Sequence, residues 1–145
     1  MNKTKVENEF LSYVHMAASL FRIYSEKLTY LSTKQFFQEI DAKLLKHERE
    51  IKEAMCIEKE GNELSLMQKM VVCMSKMKVK MMKENFDVCI EALKTIDMGI
   101  YQIEIYLKKY QNALNKEFVN NAKYVLKEYE GIAKDIRDHI HKQYL

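Results

Sequence analysis

The sequence predicts an all-α fold, a four-helix bundle made of two αα-hairpins that a short amphipathic crossover helix joins. The first reason is composition: the 145-residue chain contains no proline, no tryptophan and only three glycines, and strands and β-hairpins need such turn residues at short intervals. The second is a hydrophobic content of 48%, enough for one packed domain over residues 1–145. The third is a set of four long apolar stripes with helical spacing, as a four-helix bundle requires.

The first predicted hairpin covers residues 4–60. The stripe of its first helix has helical spacing and consists of Val6, Phe10, Tyr13, Ala17, Leu20, Phe21, Tyr24, Leu28 and Leu31. Ser32 and Thr33 are expected to cap the second helix, and Gly61 is expected to end it in a left-handed conformation. The stripe of the second helix consists of Phe37, Ile40, Leu44, His47, Ile51, Ala54 and Met55.

The predicted crossover helix covers residues 63–82 and is rich in methionine. Five methionines recur every three or four residues and therefore share one side of a helix; they are Met67, Met70, Met74, Met77 and Met81. Four lysines mostly face away from them, namely Lys69, Lys76, Lys80 and Lys83. The segment is a basic amphipathic helix.

The second predicted hairpin covers residues 84–143. The stripe of its first helix consists of Phe86, Ile90, Leu93, Ile96, Ile100, Ile103, Leu107, Tyr110 and Leu114. After a break at Asn115, the stripe of its second helix consists of Phe118, Ala122, Val125, Tyr129, Ile132, Ala133, Ile136 and Ile140. A weak repeat favours two equivalent hairpins, because residues 15–37 align with residues 97–119 without a gap and share six identical residues.

Two αα-hairpins joined by a long crossover resemble the ferritin-like, rubrerythrin-type arrangement, and this resemblance covers nearly the whole chain. The phrases KHEREI (46–51) and DMGI (97–100) are similar to those of small ferritin-like proteins from spore-forming bacteria. The resemblance implies a bundle whose relatives hold two metal ions between inward-facing carboxylates and histidines.

The residues needed for that di-metal centre are incomplete in this sequence. Such centres use a Glu from each of two helices and a Glu-x-x-His motif from each of the other two. The position three residues before His47 is Leu44, and its counterpart in the repeat is Leu126. The matched inward positions of the other two helices are small, Ala17 and Gly99. We therefore expect no complete di-metal site, no catalytic residue and no cofactor.

Two interpretations of His47 stay open. As part of an apolar stripe, it can be a core histidine that hydrogen-bonds a neighbour such as a tyrosine. Alternatively, it can bind iron or manganese in a rubrerythrin-like oxidoreductase with an unusual ligand set. That set would consist of His47, Glu48, Asp97 and Glu104.

The methionine stripe also has more than one interpretation. It can fill uneven gaps against the bundle, to which flexible methionine is suited, or it can form an interface in a homo-oligomer or with another protein. Both predict that Met70, Met74 and Met77 are buried while Lys76 and Lys80 stay solvated. A membrane-surface role is less favoured, and copper(I) would need several converging sulfur atoms, which one straight stripe does not provide.

The predicted function is that of a structural or interaction module rather than an enzyme. A net charge of +3 with interspersed acidic and basic residues gives no reason to expect nucleic acid as a partner. Cys56, Cys73 and Cys89 form no CxxC pair and are expected to be free and buried. These thiols, together with a first ten residues unlike a signal peptide, favour the cytoplasm.

Overall fold

The computed structural model describes residues 3–54 and 65–145, and these form five α-helices and no strand. The helices are α1 (Lys3–Lys27), α2 (Leu31–Ala54), α3 (Leu66–Lys80), α4 (Asn85–Tyr110) and α5 (Lys116–Tyr144). The predicted all-α class is confirmed. None of the helices in the described ranges combines the length and the apolar character needed to cross a membrane.

The four long helices pack around one core in the cyclic order α1, α2, α5 and α4. Helix α1 contacts α2 and α4, whereas α5 contacts α4 and α2; the short helix α3 lies against α1. The Tyr106 hydroxyl donates a hydrogen bond to the Val6 carbonyl, and Tyr24 and Thr95 share one of 2.6 Å. Because residue numbers rise along α1 as they fall along α4, these two helices run antiparallel.

The predicted stripes of α2 and α5 form much of the core. The buried members of the α2 stripe are Phe37, Ile40, Leu44, His47 and Ile51, and every residue of the α5 stripe is buried. Aromatic rings link the helices: Phe10 of α1 packs edge-on against Phe118 of α5, and Phe21 stacks on Phe37 of α2. Burial of these side chains is the main term that stabilises the fold.

The boundary between α1 and α2 differs from the prediction. Leu31 was expected to end the first stripe, but it begins α2 and is exposed. Ser32 and Thr33 therefore lie inside the first turn instead of capping it. The buried Thr33 hydroxyl bonds His139 Nε2 at 2.9 Å and the Tyr144 hydroxyl at 2.8 Å, so its role is to connect α2 to the end of α5.

Asparagine side chains organise two of the other turns. At the predicted break, Asn115 caps α5 by accepting a 2.7 Å hydrogen bond from the Phe118 backbone N–H. Asn85 accepts backbone hydrogen bonds from Thr29 and Tyr30 at 2.9 and 3.1 Å, and thereby connects the α1–α2 turn to the start of α4. The predicted core position Met55 and the predicted helix end Gly61 lie outside the described residues.

Candidate functional site

Helix α3 is fixed to the bundle by capping, by two valines and by polar contacts. Ser65 and Gln68 form a capping box at its start, and the Gln68 amide also donates to the Ser12 hydroxyl at 3.1 Å. Val79 is buried, and the partly buried Val72 packs against the core cluster. The side of α3 that contacts the bundle is therefore the valine side.

The other side of α3 is a surface that we call the methionine face, made of Met67, Met70, Met74, Met77 and Met81. These side chains are between 57% and 82% exposed. The interpretation in which they fill gaps against their own bundle is thus wrong, and in the single chain Met70, Met74 and Met77 are not buried. The predicted exposure of Lys76 and Lys80 is confirmed. Whether a second chain covers the methionine face stays a prediction.

A second exposed apolar stripe, on α4, was not predicted. Met98, Tyr101 and Ile105 are between 49% and 60% exposed. Their spacing of three and four residues places them on one side of α4. The spacing was visible in the sequence, but α4 is apolar on several sides, so the pattern alone did not separate the core side from this one.

A cavity of about 320 Å³ lies between α1, α3 and α4. Its walls are mainly apolar, and they include the partly or fully buried Met16, Leu20 and Ile103. Helix α3 contributes Val71 and Ser75, two small side chains that cover the cavity without filling it. The cavity therefore lies against the side of α3 that carries Val71 and Ser75, beside the methionine face.

The inner wall of the cavity depends on a glycine and a tyrosine. A Cβ atom added to Gly99 would lie 3.2 and 3.3 Å from two ring carbons of Tyr129, so the small residue makes room for the ring. The Tyr129 hydroxyl is buried and has no hydrogen-bond partner among the described residues. Burial, followed by the nearby charge of Glu48, raises the pKa of Tyr129, so this hydroxyl stays protonated at neutral pH.

His47 is buried, as the core interpretation predicts, but its partner is a carboxylate. Its Nε2 lies 3.3 Å from Glu128 Oε1, and its ring packs edge-on against Tyr124. The Tyr124 hydroxyl donates to the same carboxylate oxygen at 2.9 Å, and this bond is the main reason that the pKa of Glu128 is lowered. His47 Nδ1 has no partner within the described ranges.

The residues of the alternative ligand set lie in separate interactions. Glu48 is buried and contacts His15 Nδ1 at 2.5 Å, whereas Asp97 binds Arg137 through contacts of 2.9 and 3.1 Å. Glu104 is exposed on α4. Within residues 3–54 and 65–145, no three His, Cys, Asp or Glu side chains are grouped so that they could hold a metal ion.

The two described cysteines have different environments. Cys89 is buried, as predicted, and burial raises the pKa of its thiol to about 12, which keeps it in the unreactive protonated form. Cys73 of α3 is exposed, so its predicted burial is wrong. Cys56 lies outside the described residues.

Comparisons with known proteins give no relative: no family model, no curated protein and no solved structure matches this chain.

Proposed function

We propose that this protein is a ferritin-like four-helix bundle that lacks a complete di-metal centre and acts in the cytoplasm as a structural or interaction module. In this proposal α1–α2 and α4–α5 are the two hairpins, α3 is the crossover helix, and the chain forms a homo-oligomer through the methionine face. The observation that carries the proposal is the exposure of all five methionines on a helix that is otherwise fixed to its bundle.

The arrangement of helices supports the ferritin-like part of the proposal. The contacts of Thr33 with His139 and of His47 with Glu128 show residue numbers rising along α2 as they fall along α5, so this pair is antiparallel, like α1 and α4. Helix α3 runs parallel to α1, because Gln68 bonds Ser12 near one end and Lys27 bonds the Lys80 carbonyl near the other. A crossover helix would return the chain along the bundle in this way.

The size of the exposed apolar surface supports an interface. Five largely exposed methionines form a patch of several hundred Å², at the upper end of what monomeric proteins show. Met98 on α4 lines the same cavity as Val71 on α3, so the α4 stripe of Met98, Tyr101 and Ile105 borders the same region. A stable complex buries ~800 Å² on each partner, so an interface here would include the α4 stripe as well as the methionine face.

The distribution of charge on α3 favours a second copy of this chain as the partner. At ~100° per residue, Lys69, Lys76 and Lys80 lie roughly 100–140° from the centre of the methionine face, outside a contact between two such faces. Lys78 lies closer, but it forms a 3.0 Å ion pair with Glu91 of α4. The centre of the face is uncharged, and unbranched methionine adapts readily to an identical surface.

Sedimentation of the double variant Met74→Glu/Met77→Glu tests self-association. We expect the wild-type protein to be oligomeric and the variant to be monomeric, because two carboxylates in an apolar interface would cost several kcal/mol if they stayed buried and unpaired. Since both methionines are exposed in the single chain, the helical circular dichroism should be unchanged.

Lys69→Glu is the matched control, because it changes the net charge by the same amount on the same helix away from the methionine face. It should leave the oligomer intact. A wild-type protein that sediments as a monomer at all concentrations, or a control that dissociates as readily as the double variant, would refute self-association through this face.

Metal content tests the absence of the di-metal centre. Leu44 and Leu126 occupy the positions at which Glu-x-x-His motifs would begin, and His47 already contacts Glu128. Protein refolded with iron(II) or manganese(II) and then desalted should contain less than one metal ion per chain. Two bound ions per chain would instead support the rubrerythrin-like oxidoreductase with a ligand set not seen in the described residues.

A further inference from the structure

We propose that the cavity between α1, α3 and α4 binds a small, mainly apolar and uncharged molecule. Its volume of about 320 Å³ is within the range of small-molecule sites in proteins. It equals the space of about ten water molecules at ~30 Å³ each. A ligand of matching size would remove apolar walls from water and gain packing contacts with them.

Small side chains at three positions keep the cavity open. Ala17 of α1, Gly99 of α4 and Ser75 of α3 all belong to its lining. Larger side chains at these positions would occupy the space directly. The remaining wall is formed by flexible or branched residues such as Met16 and Leu20, which can adjust to a ligand's shape.

The charges at the cavity favour an uncharged ligand. Lys94 and Glu91 belong to the lining and have opposite signs, and Glu91 is already paired with Lys78 of α3. Lys94 is exposed, and a long lysine side chain keeps its charged end in water, so it does not place a charge inside the apolar part of the cavity. A charged group would also lose hydration on entry into a largely apolar site.

Two hydroxyl groups provide one point of polar recognition. Thr95 lines the cavity and shares a 2.6 Å hydrogen bond with the Tyr24 hydroxyl. Either hydroxyl can donate in this bond; when Tyr24 donates, the hydroxyl hydrogen of Thr95 is left for a ligand. Burial raises the pKa of Tyr24 to about 12, so the pair remains neutral. A ligand with one hydrogen-bonding group at the end of an apolar body would match this lining.

The dyes N-phenyl-1-naphthylamine and 8-anilinonaphthalene-1-sulfonate test the proposal, because they share one apolar skeleton and differ in the sulfonate charge. Their fluorescence rises in apolar surroundings, so titration of the full-length protein gives an affinity and a stoichiometry. We expect one molecule of the neutral dye per chain and at least tenfold weaker binding of the anionic dye. Equal affinity for both dyes, or no saturable binding of the neutral one, would overturn the proposal.

Two variants that fill the cavity locate the bound dye. Ser75→Leu and Val71→Phe each add apolar volume from α3 and should weaken binding of the neutral dye at least tenfold. Cys73→Leu adds a comparable side chain to an exposed position of the same helix and should leave binding unchanged. Circular dichroism identifies any variant that fails to fold, and the other cavity-filling variant then decides. If a folded filling variant binds like wild type, the cavity is not the site.

The double variant Met74→Glu/Met77→Glu separates this proposal from the methionine face. Dye binding that survives in this variant places the site away from that face, as we expect. Dye binding that is lost there but retained in Ser75→Leu would show that the methionine face binds the dye, and the cavity proposal would be wrong.

Discussion

Replacing Tyr129 by phenylalanine should stabilise the protein, although most core substitutions destabilise. The Tyr129 side chain is buried at the inner wall of the cavity, and its hydroxyl has no hydrogen-bond partner among the described residues. A buried hydroxyl without a partner loses its hydration and gains nothing in return, at a cost of about 1–3 kcal/mol. Phenylalanine keeps the ring that packs over Gly99 and removes only that hydroxyl.

The expected gain is about 1 kcal/mol, the lower end of that range, because removal of the oxygen also leaves a small gap. For a urea m-value of about 2 kcal/mol/M, the midpoint of unfolding should rise by about 0.5 M. The measurement is equilibrium urea unfolding followed by circular dichroism. It should be made at one fixed protein concentration, because self-association would add a concentration-dependent term to the apparent stability.

Two other buried tyrosines are internal controls. The Tyr24 hydroxyl bonds Thr95, and the Tyr106 hydroxyl donates to the Val6 carbonyl, so both hydroxyls have partners. Tyr24→Phe and Tyr106→Phe should each lower the free energy of unfolding by about 1 kcal/mol or more, because each leaves a polar group without its partner. The free energy of unfolding should therefore rise in Tyr129→Phe and fall in the other two variants.

Destabilisation by Tyr129→Phe comparable to that of Tyr24→Phe would refute this reasoning. It would mean that the Tyr129 hydroxyl has a partner in solution, such as an ordered water molecule.

Two further predictions concern glycine and cysteine positions. Gly131→Ala, with no atom within 4 Å of the added Cβ, should stabilise α5 by about 0.5–1 kcal/mol. At Gly99 crowding against the Tyr129 ring opposes the same gain, so Gly99→Ala should be less favourable than Gly131→Ala by about 1 kcal/mol or more. Urea unfolding measures both variants, and equal effects would contradict this expectation. Iodoacetamide should label exposed Cys73 rapidly and buried Cys89 only after unfolding, as measured by peptide mass spectrometry; comparable labelling of Cys89 in the folded protein would contradict its burial.

The helices could be predicted from the sequence because most of their stripes have a single apolar side. In α5 every residue of the predicted stripe from Phe118 to Ile140 is buried. The core side of α4 was predicted less well. Val88, Ala92 and Tyr106 are buried although they were not assigned to its stripe. Apolar residues surround most of α4, so periodicity gives no unique direction for its core side.

The orientation of α3 could not be predicted because the larger apolar side of a helix is expected to face inward. The methionine side of α3 has more apolar surface than the valine side, which predicts that the methionines face inward. Instead, Val72 and Val79 contact the bundle. A helix that lies over a groove between α1 and α4 needs short side chains for close approach. The side that can approach closely is determined by the shape of the surface that α1 and α4 form. That shape cannot be predicted from the sequence of α3 alone.

Similarly, the periodicity of the apolar residues could not predict which residue contacts His47. The stripe placed this histidine in the core, but Glu128 belongs to α5 and is 81 residues away in the sequence. The pairing depends on the register between α2 and α5. That register is determined jointly by contacts along both helices, including those of Thr33 with His139 and Tyr144.

Helix α3 carries part of the cavity wall and all of the methionine face, so ligand binding and association of chains can be thermodynamically coupled. Val71 and Ser75 cover the cavity, and the methionine face lies outside on the same fifteen-residue helix. A ligand that contacts Val71 or Ser75 and a second chain that contacts the methionine face would both act on this one helix. If ligand entry strengthens or weakens association by some factor, association must change the affinity for the ligand by the same factor.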